Sequence, residues 1–155
     1  VHAITVLPET IEVEIAVDDA SVWRTAEAPH IVPTLLGVLP GLAAHHCGGR
    51  APFSEELADT ELPHLFEHVT LELMTLAGSP RDLWAGAGWQ RPRGGASRAR
   101  LSFQYDDDLV CLGAINLARQ LIDSACAGDP LPDVTGEISR LRSLRRRPPA
   151  MPASD

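Results

Sequence analysis

Residues 61–78, ELPHLFEHVTLELMTLAG, have the apolar spacing of a single amphipathic helix that packs on a core. At 100° per residue, one arc of this helix gathers six apolar side chains, those of Leu62, Leu65, Phe66, Val69, Leu73 and Leu76. Thr60 or Asp59 is a suitable N-cap, Pro63 suits the first turn, and Gly78 is a typical C-terminal stop. The stretch therefore predicts a central helix, and the other elements must supply a matching apolar surface.

Strands and further helices are predicted on both sides of this helix. Alternating apolar and polar residues predict strands at 3–7, 11–17 and 98–105. Helical spacing and helix-breaking residues predict helices at 31–39, 107–125 and 135–146. This order predicts an α+β fold, a single domain with a mostly antiparallel sheet packed with about three to four helices.

The chain has 155 residues and a net charge of −8, which disfavours nucleic acid as a partner. All its basic residues are arginine, and five of them lie within residues 140–147. The remaining body is therefore more acidic than the total indicates and would suit a cationic ligand. The alternative is an ordinary solvated acidic surface.

We expect the globular domain to span residues 1–132, followed by an Arg/Pro-rich C-terminal helix and tail at 133–155 that pack little. The odd set of Cys47, Cys111 and Cys126 argues against a disulfide framework. No apolar run predicts a membrane span and no signal-peptide pattern opens the chain, so a cytoplasmic protein without a membrane partner is expected. A homo-oligomer is compatible with the sequence.

The pentapeptide HLFEH, residues 64–68, has the order of an inverted zincin motif, H-x-x-E-H. His64 and His68 project from one side of a helix, so both imidazoles can reach one zinc ion. Glu67 lies beside them and can act as the catalytic base toward a metal-activated water. Glu72 can hydrogen-bond the second nitrogen of His68 and orient it. At 100° per residue both histidines are expected to face away from the main core. The alternative is a helix whose polar face carries two histidines by chance.

A third zinc ligand would have to come from another part of the chain. His45, His46 and Cys47 lie in a glycine-rich loop, and Cys47 is the candidate thiolate ligand. A structural loop with a buried cysteine is the alternative. Cys111 is a second candidate, although a small buried residue is the simpler interpretation there.

Three consecutive aspartates, Asp106, Asp107 and Asp108, occupy the predicted junction between a strand and a helix. N-capping of the helix and a favourable interaction with its dipole explain such a run. The functional alternative is a clamp for a guanidinium or ammonium group. We therefore retain the three aspartates, with His45 and His46, as candidate substrate-binding residues.

Three stretches together resemble the N-terminal domain of cyanophycin synthetase: TLLGVLPGLAAHHC, HLFEHVTLELMTLAG and RARLSFQYDDDLVCLGAINLARQLI. The resemblance covers roughly residues 10 to 126, without the ATP-grasp and Mur-ligase-like portions of that enzyme. It implies a module that binds a peptide or polymer of aspartate and arginine. In some synthetases this domain is also thought to carry a metallohydrolase site that trims the polymer, which would make His64 and His68 ligands and Glu67 the base.

Two hypotheses follow from these residues. The first is a zinc-dependent peptidase or amidohydrolase acting on an arginine-containing, cyanophycin-like peptide. The second is a non-catalytic module that binds such a polymer, or a separately encoded ATP-dependent ligase of the ATP-grasp/Mur type, and presents substrate to it. A third ligand converging on His64 and His68 separates the two, because only the enzyme needs one.

Overall fold

The computed structural model describes residues 1–17, 22–45, 52–90 and 97–145. Four strands form one antiparallel sheet in the order β1-β2-β4-β3. The strands are β1 (Ala3–Val6), β2 (Thr10–Val17), β3 (Ala85–Gln90) and β4 (Ser97–Gln104). The predicted α+β domain with an antiparallel sheet is confirmed. Strand β3 lies outside the three strands that the alternating pattern predicts.

Four α-helices accompany the sheet: α1 (Ile31–Val38), α2 (Leu62–Leu76), α3 (Asp108–Ala127) and α4 (Val134–Leu144). Short 3-10 helices lie at Thr25–Glu27, Pro40–Ala44, Phe53–Glu55 and Leu57–Asp59. Helices α2 and α3 pack against each other and against one face of the sheet. The 3-10 helices at 40–44 and 53–55 pack together beside α2, so the described ends of the His45 loop lie next to the central helix.

The alternation along β2 and β4 explains why only one face of the sheet is covered. Ile11 pairs with Phe103 and Val13 pairs with Leu101, and all four side chains are fully buried under the helices. Each such side chain contributes roughly 1.5–3 kcal/mol by leaving water. The residues between them point to the other face, where Arg100 donates to Glu14 at 2.7 Å.

The central helix α2 buries the arc that its sequence predicts, and Leu76 at its end is only partly buried. Its N-cap position is occupied by Glu61, not by Asp59 or Thr60. The physical reason is that Glu61 is itself extended and forms a β-bridge with Arg24, so the first helical residue is Leu62. Gly78 has a φ of 100°, which fits the predicted stop.

Helix α3 begins at the N-cap Asp107 and ends at Gly128, which has a left-handed φ of 72°. It is the one helix among the described residues that is long and apolar enough to cross a membrane, contrary to the expectation from sequence. Half of that window is buried inside the protein, and the core helix of a globular domain meets the same criterion. The packing of α3 on α1, α2 and the sheet accounts for its apolar composition.

Helix α4 packs on the core, which corrects the expectation that the segment after residue 132 packs little. Val134 and Leu141 belong to the core, and Leu141 is fully buried. A side chain at Gly113 of α3 would collide with Leu141, so the glycine lets the two helices approach closely. Arg142 also donates to the carbonyl oxygen of Leu76 at 2.8 Å.

Candidate functional site

Three histidines form a continuous chain of ring-to-ring contacts on one side of α2. The Nε2 atoms of His64 and His68 lie 3.1 Å apart. The opposite nitrogen of His68, Nδ1, lies 3.4 Å from Nδ1 of His45, which follows the 3-10 helix at 40–44. The i, i+4 spacing on α2 places the first pair, and the turn after Pro40 brings the third ring to it.

Each end of this histidine chain makes a contact with an oxygen. Nε2 of His45 lies 2.8 Å from a carboxylate oxygen of Glu72, and Nδ1 of His64 lies 3.2 Å from the hydroxyl of Thr60. A carboxylate oxygen of Glu56 lies 3.7 Å from the same nitrogen of His64. The sequence predicted a contact between Glu72 and His68, but Glu72 reaches His68 through His45.

The hydrogen positions follow from what each group can donate or accept. The Glu72 carboxylate accepts, so Nε2 of His45 carries a hydrogen, and in a neutral ring Nδ1 then accepts. His68 therefore donates from Nδ1 and accepts at Nε2 from His64, whose Nδ1 accepts from the Thr60 hydroxyl. Each of the four contacts from Glu72 to Thr60 then has one donor and one acceptor while all three imidazoles stay neutral.

One extra proton also fits this chain. If His45 becomes an imidazolium beside Glu72, His68 and His64 can each change tautomer, and the Thr60 hydroxyl then accepts. Every contact again has one donor and one acceptor, and His68 remains neutral. The histidine chain can therefore pass a proton between its two ends without leaving a buried polar atom unsatisfied.

Burial keeps His68 neutral, which corrects the expectation that both histidines face away from the core. His68 is 4% exposed, and the ring of Phe53 stacks on it with the ring centroids 3.8 Å apart. Burial, with smaller contributions from His64 and His45, lowers the pKa of His68 to about 3. Burial also lowers the pKa of His64, although Glu56 and Glu61 oppose the shift.

The close approach of Glu72 to the loop depends on a glycine. A Cβ atom at Gly41 would collide with the carboxylate of Glu72. Gly41 follows the end of α1 in the 3-10 helix at 40–44, and the absence of a side chain there makes room for Glu72. Sequence analysis missed Gly41 and Phe53 as parts of the site, because neither residue is a ligand type and their contacts are between distant segments.

Glu67 is half-buried and has no hydrogen-bond or ion-pair partner among the described residues. Burial raises its pKa to about 7. A carboxyl group with this pKa can accept a proton near neutral pH, which suits the role of base that the motif predicts. That role stays a prediction.

The histidine pair fits two positions of a tetrahedral zinc site. Two Nε2 ligands at the usual zinc distance are separated by about 3.3 Å, close to the spacing of His64 and His68. His68 would keep its Nδ1 hydrogen bond to His45, which is the usual outer contact of a metal-bound histidine. The zinc-facing nitrogen of His68 would be Nε2, but His45 contacts Nδ1 of that ring, so His45 is not placed as the third ligand. No group of three suitable side chains occurs among the described residues.

Neither sequence candidate for a third ligand lies in this cluster. Cys47 and His46 fall outside the described residues. Cys111 is fully buried in the core on α3, and burial raises the pKa of its thiol to about 12, so it is held as a thiol and not as a thiolate ligand. Zinc binding by His64, His68 and Cys47 therefore stays a prediction.

The three aspartates make structural contacts. Asp107 caps α3 by accepting from the amides of Leu109 and Val110. Asp106 accepts from the Ser79 hydroxyl and forms an ion pair with Arg145. Asp108 accepts from the amide of Leu109. These contacts match the capping interpretation, and substrate binding by Asp106, Asp107 and Asp108 stays a prediction.

A cavity of about 390 Å³ adjoins the histidine chain and exposes one wall of it. His45 and His68 lie on this wall, and Leu71 and Met74 of α2 extend it along the helix. The opposite side is formed by the segment that follows α2, with Pro80, Arg81 and Leu83. The cavity thus combines apolar side chains with two histidines and one arginine.

The fold and this site define a class of protein: a small α+β domain with a cavity beside a histidine-bearing central helix. Residues 12–127 match the model of a known family, the cyanophycin synthase-like N-terminal domain. The chain belongs to this family. The resemblance noted in the sequence is thereby confirmed at the level of the family.

Two curated relatives match along most of the chain. The cyanophycin synthetase of Crocosphaera subtropica is 28% identical over 142 residues, which cover 87% of this chain. The cyanophycin synthetase of Synechocystis is also 28% identical over 142 residues, which cover 86% of this chain. The match spans 16% of the length of each relative, so it concerns one domain of a much longer protein.

Proposed function

We propose that this domain is a non-catalytic module that binds a cyanophycin-like peptide or polymer in the cavity beside His45 and His68. It then presents the ligand to an ATP-dependent ligase. The observation that carries this proposal is the cavity itself, which combines the apolar side chains of Leu71 and Met74 with the imidazoles of His45 and His68. The relatives are cyanophycin synthetases, and this supports a peptide of aspartate and arginine as the ligand.

The donor and acceptor balance of the histidine chain favours binding over catalysis. All three imidazoles are satisfied by one another and by Thr60 and Glu72. Such a network orients the rings without a metal.

Filling the cavity tests this proposal. Thr75 lies on the cavity wall and is half-buried, so Thr75→Trp should occupy the space of the ligand. The matched control is Asn116→Trp, an exposed position on α3 outside the cavity. We expect a β-linked aspartate–arginine dipeptide to bind the wild type, and Thr75→Trp to weaken binding by about tenfold or more. Equal affinity of both variants, or no binding to the wild type at millimolar concentration, contradicts the proposal.

A zinc-dependent hydrolase is the second candidate, and the observation that favours it is the elevated pKa of Glu67 next to His68. His64 and His68 would hold the ion through Nε2, with His45 and Glu72 as outer partners. Bound zinc would supply Lewis-acid activation of a scissile carbonyl. Glu67 would take a proton from the attacking water, for which its pKa of about 7 is suitable.

A further inference from the structure

The cavity beside the histidine chain carries a positive charge although the protein as a whole is acidic. Arg81 is the one permanently charged side chain among the residues that line it. The net charge of the chain is −8, so this positive lining is a local exception.

Most arginines in the described part of the chain have a protein partner, and Arg81 does not. Arg24 binds Asp59 and Glu61, Arg100 binds Glu14, and the arginines at 119, 140 and 145 each have a carboxylate partner. Arg81 is exposed and makes no hydrogen bond or ion pair with any described residue, even with its neighbour Asp82. The five N–H donors of the Arg81 guanidinium group are available to a ligand.

The backbone before Arg81 is held in place by several contacts. Gly78 leaves α2 with a φ of 100°, and the amide of Ser79 donates to the carbonyl oxygen of Met74 at 2.9 Å. The hydroxyl of Ser79 donates to Asp106 at 2.7 Å, and Pro80 fixes the next φ angle. The helix end therefore delivers Arg81 to the cavity rim on a well-anchored turn.

We propose that Arg81 binds a carboxylate of the ligand, so that the cavity receives an acidic end or side chain of a peptide. Guanidinium and carboxylate groups form paired hydrogen bonds of matching geometry. The methylene groups next to the carboxylate lie against Leu71, Met74 and Leu83. This inference rests on the proposed function of the cavity and assigns the class of ligand group that it selects.

A pair of peptides that differ only in charge tests the inference. One is the β-linked aspartate–arginine dipeptide with free carboxylates, and the other is the same dipeptide with both carboxylates as primary amides. The variants are Arg81→Gln and Arg81→Lys, and the control is Arg119→Gln, which removes an exposed arginine paired with Asp123 on α3. We expect the wild type and the control to prefer the free acid by about ten- to a hundredfold.

Arg81→Gln should bind both dipeptides with the affinity that the wild type has for the amide, and Arg81→Lys should keep part of the preference. The methyl resonance of Met74, one of two methionines in the chain, reports whether the peptide enters the cavity. A peptide that binds and shifts Met74 without any preference for the acid overturns the role of Arg81 alone. Absence of binding, or binding that leaves the Met74 resonance unchanged, overturns the proposed function and this inference together.

Discussion

The Nε2 atoms of His64 and His68 lie 3.1 Å apart, so one of these nitrogens carries a hydrogen and the other accepts it. Zinc between the two would have to displace that hydrogen, because a metal-bound imidazole nitrogen carries none. Binding zinc therefore requires His64 to move its hydrogen to Nδ1, where the Thr60 hydroxyl and the Glu56 carboxylate can accept it. Zinc would therefore replace the contact between the two Nε2 atoms, which joins His64 to His68 in the metal-free protein.

Acid should destabilise the metal-free domain through His68. Its folded pKa of about 3 lies below the ordinary value of 6.5, so its stabilising contribution is full above pH 6.5 and falls as the pH drops toward 3. Between these two pH values, His68 lowers the free energy of unfolding by about 1.4 kcal/mol for each pH unit of acidification. We expect His68→Leu to show a smaller loss of unfolding free energy between pH 7.5 and 4.5 than the wild type, as measured by urea unfolding in EDTA. His2→Leu, at an exposed position, should follow the wild type; equal slopes for all three proteins contradict this prediction.

Gly41→Ala should disrupt the Glu72 end of the histidine chain. The new methyl group would collide with the Glu72 carboxylate, so the side chain must move away from His45. We expect a loss of about 1–3 kcal/mol in unfolding free energy and a change in the imidazole resonances of His45. Gly37→Ala is the matched control, because a Cβ atom there meets nothing within 4 Å and a helical alanine should be neutral or slightly stabilising. Equal stability of the two variants argues against the contact.

Removing the last helix should destabilise the domain. Leu141 is fully buried against α3, so Leu141→Ala should cost about 2–5 kcal/mol. The control Leu144→Ala changes an exposed residue of the same helix and should cost less than about 1 kcal/mol. Truncation after Pro132 removes both residues with Val134 and should lower the melting temperature by more than Leu141→Ala does. A truncated protein that melts with the wild type would show that α4 contributes little.

Helix α2 and its contacts show what could and could not be predicted from the sequence. The apolar arc of this helix and the pairing of His64 with His68 follow from local periodicity, and both could be predicted. The stacking of Phe53 on His68, and the contact of His45 with its second nitrogen, join segments 15 and 23 residues away in the chain. No local pattern encodes such contacts, so the burial of His68 was missed. The burial of Leu141 is different: Val134, Ile138 and Leu141 have the i, i+4, i+7 spacing of an amphipathic helix, so local periodicity could have predicted it.

Glu67→Gln separates the hydrolase from the binding module, because it removes a proton acceptor and keeps the size of the side chain. In the hydrolase candidate, zinc content and dipeptide affinity should stay close to the wild type while turnover falls at least about a hundredfold. His64→Ala is the companion variant and should lose the zinc. In the binding module there is no turnover, and Glu67→Gln leaves affinity unchanged.

Stability provides an independent readout on the same variant. Glu67 has a folded pKa of about 7, above its ordinary 4.5, so ionisation of the buried carboxyl costs stability as the pH rises through this range. Metal-free Glu67→Gln should match the wild type near pH 4 and exceed it in unfolding free energy above pH 8. A variant that is equally stable at both pH values would show that Glu67 ionises freely, and it would remove the elevated pKa that favours Glu67 as a base. Hydrolysis that continues unchanged in Glu67→Gln would exclude Glu67 from the mechanism, whatever its pKa.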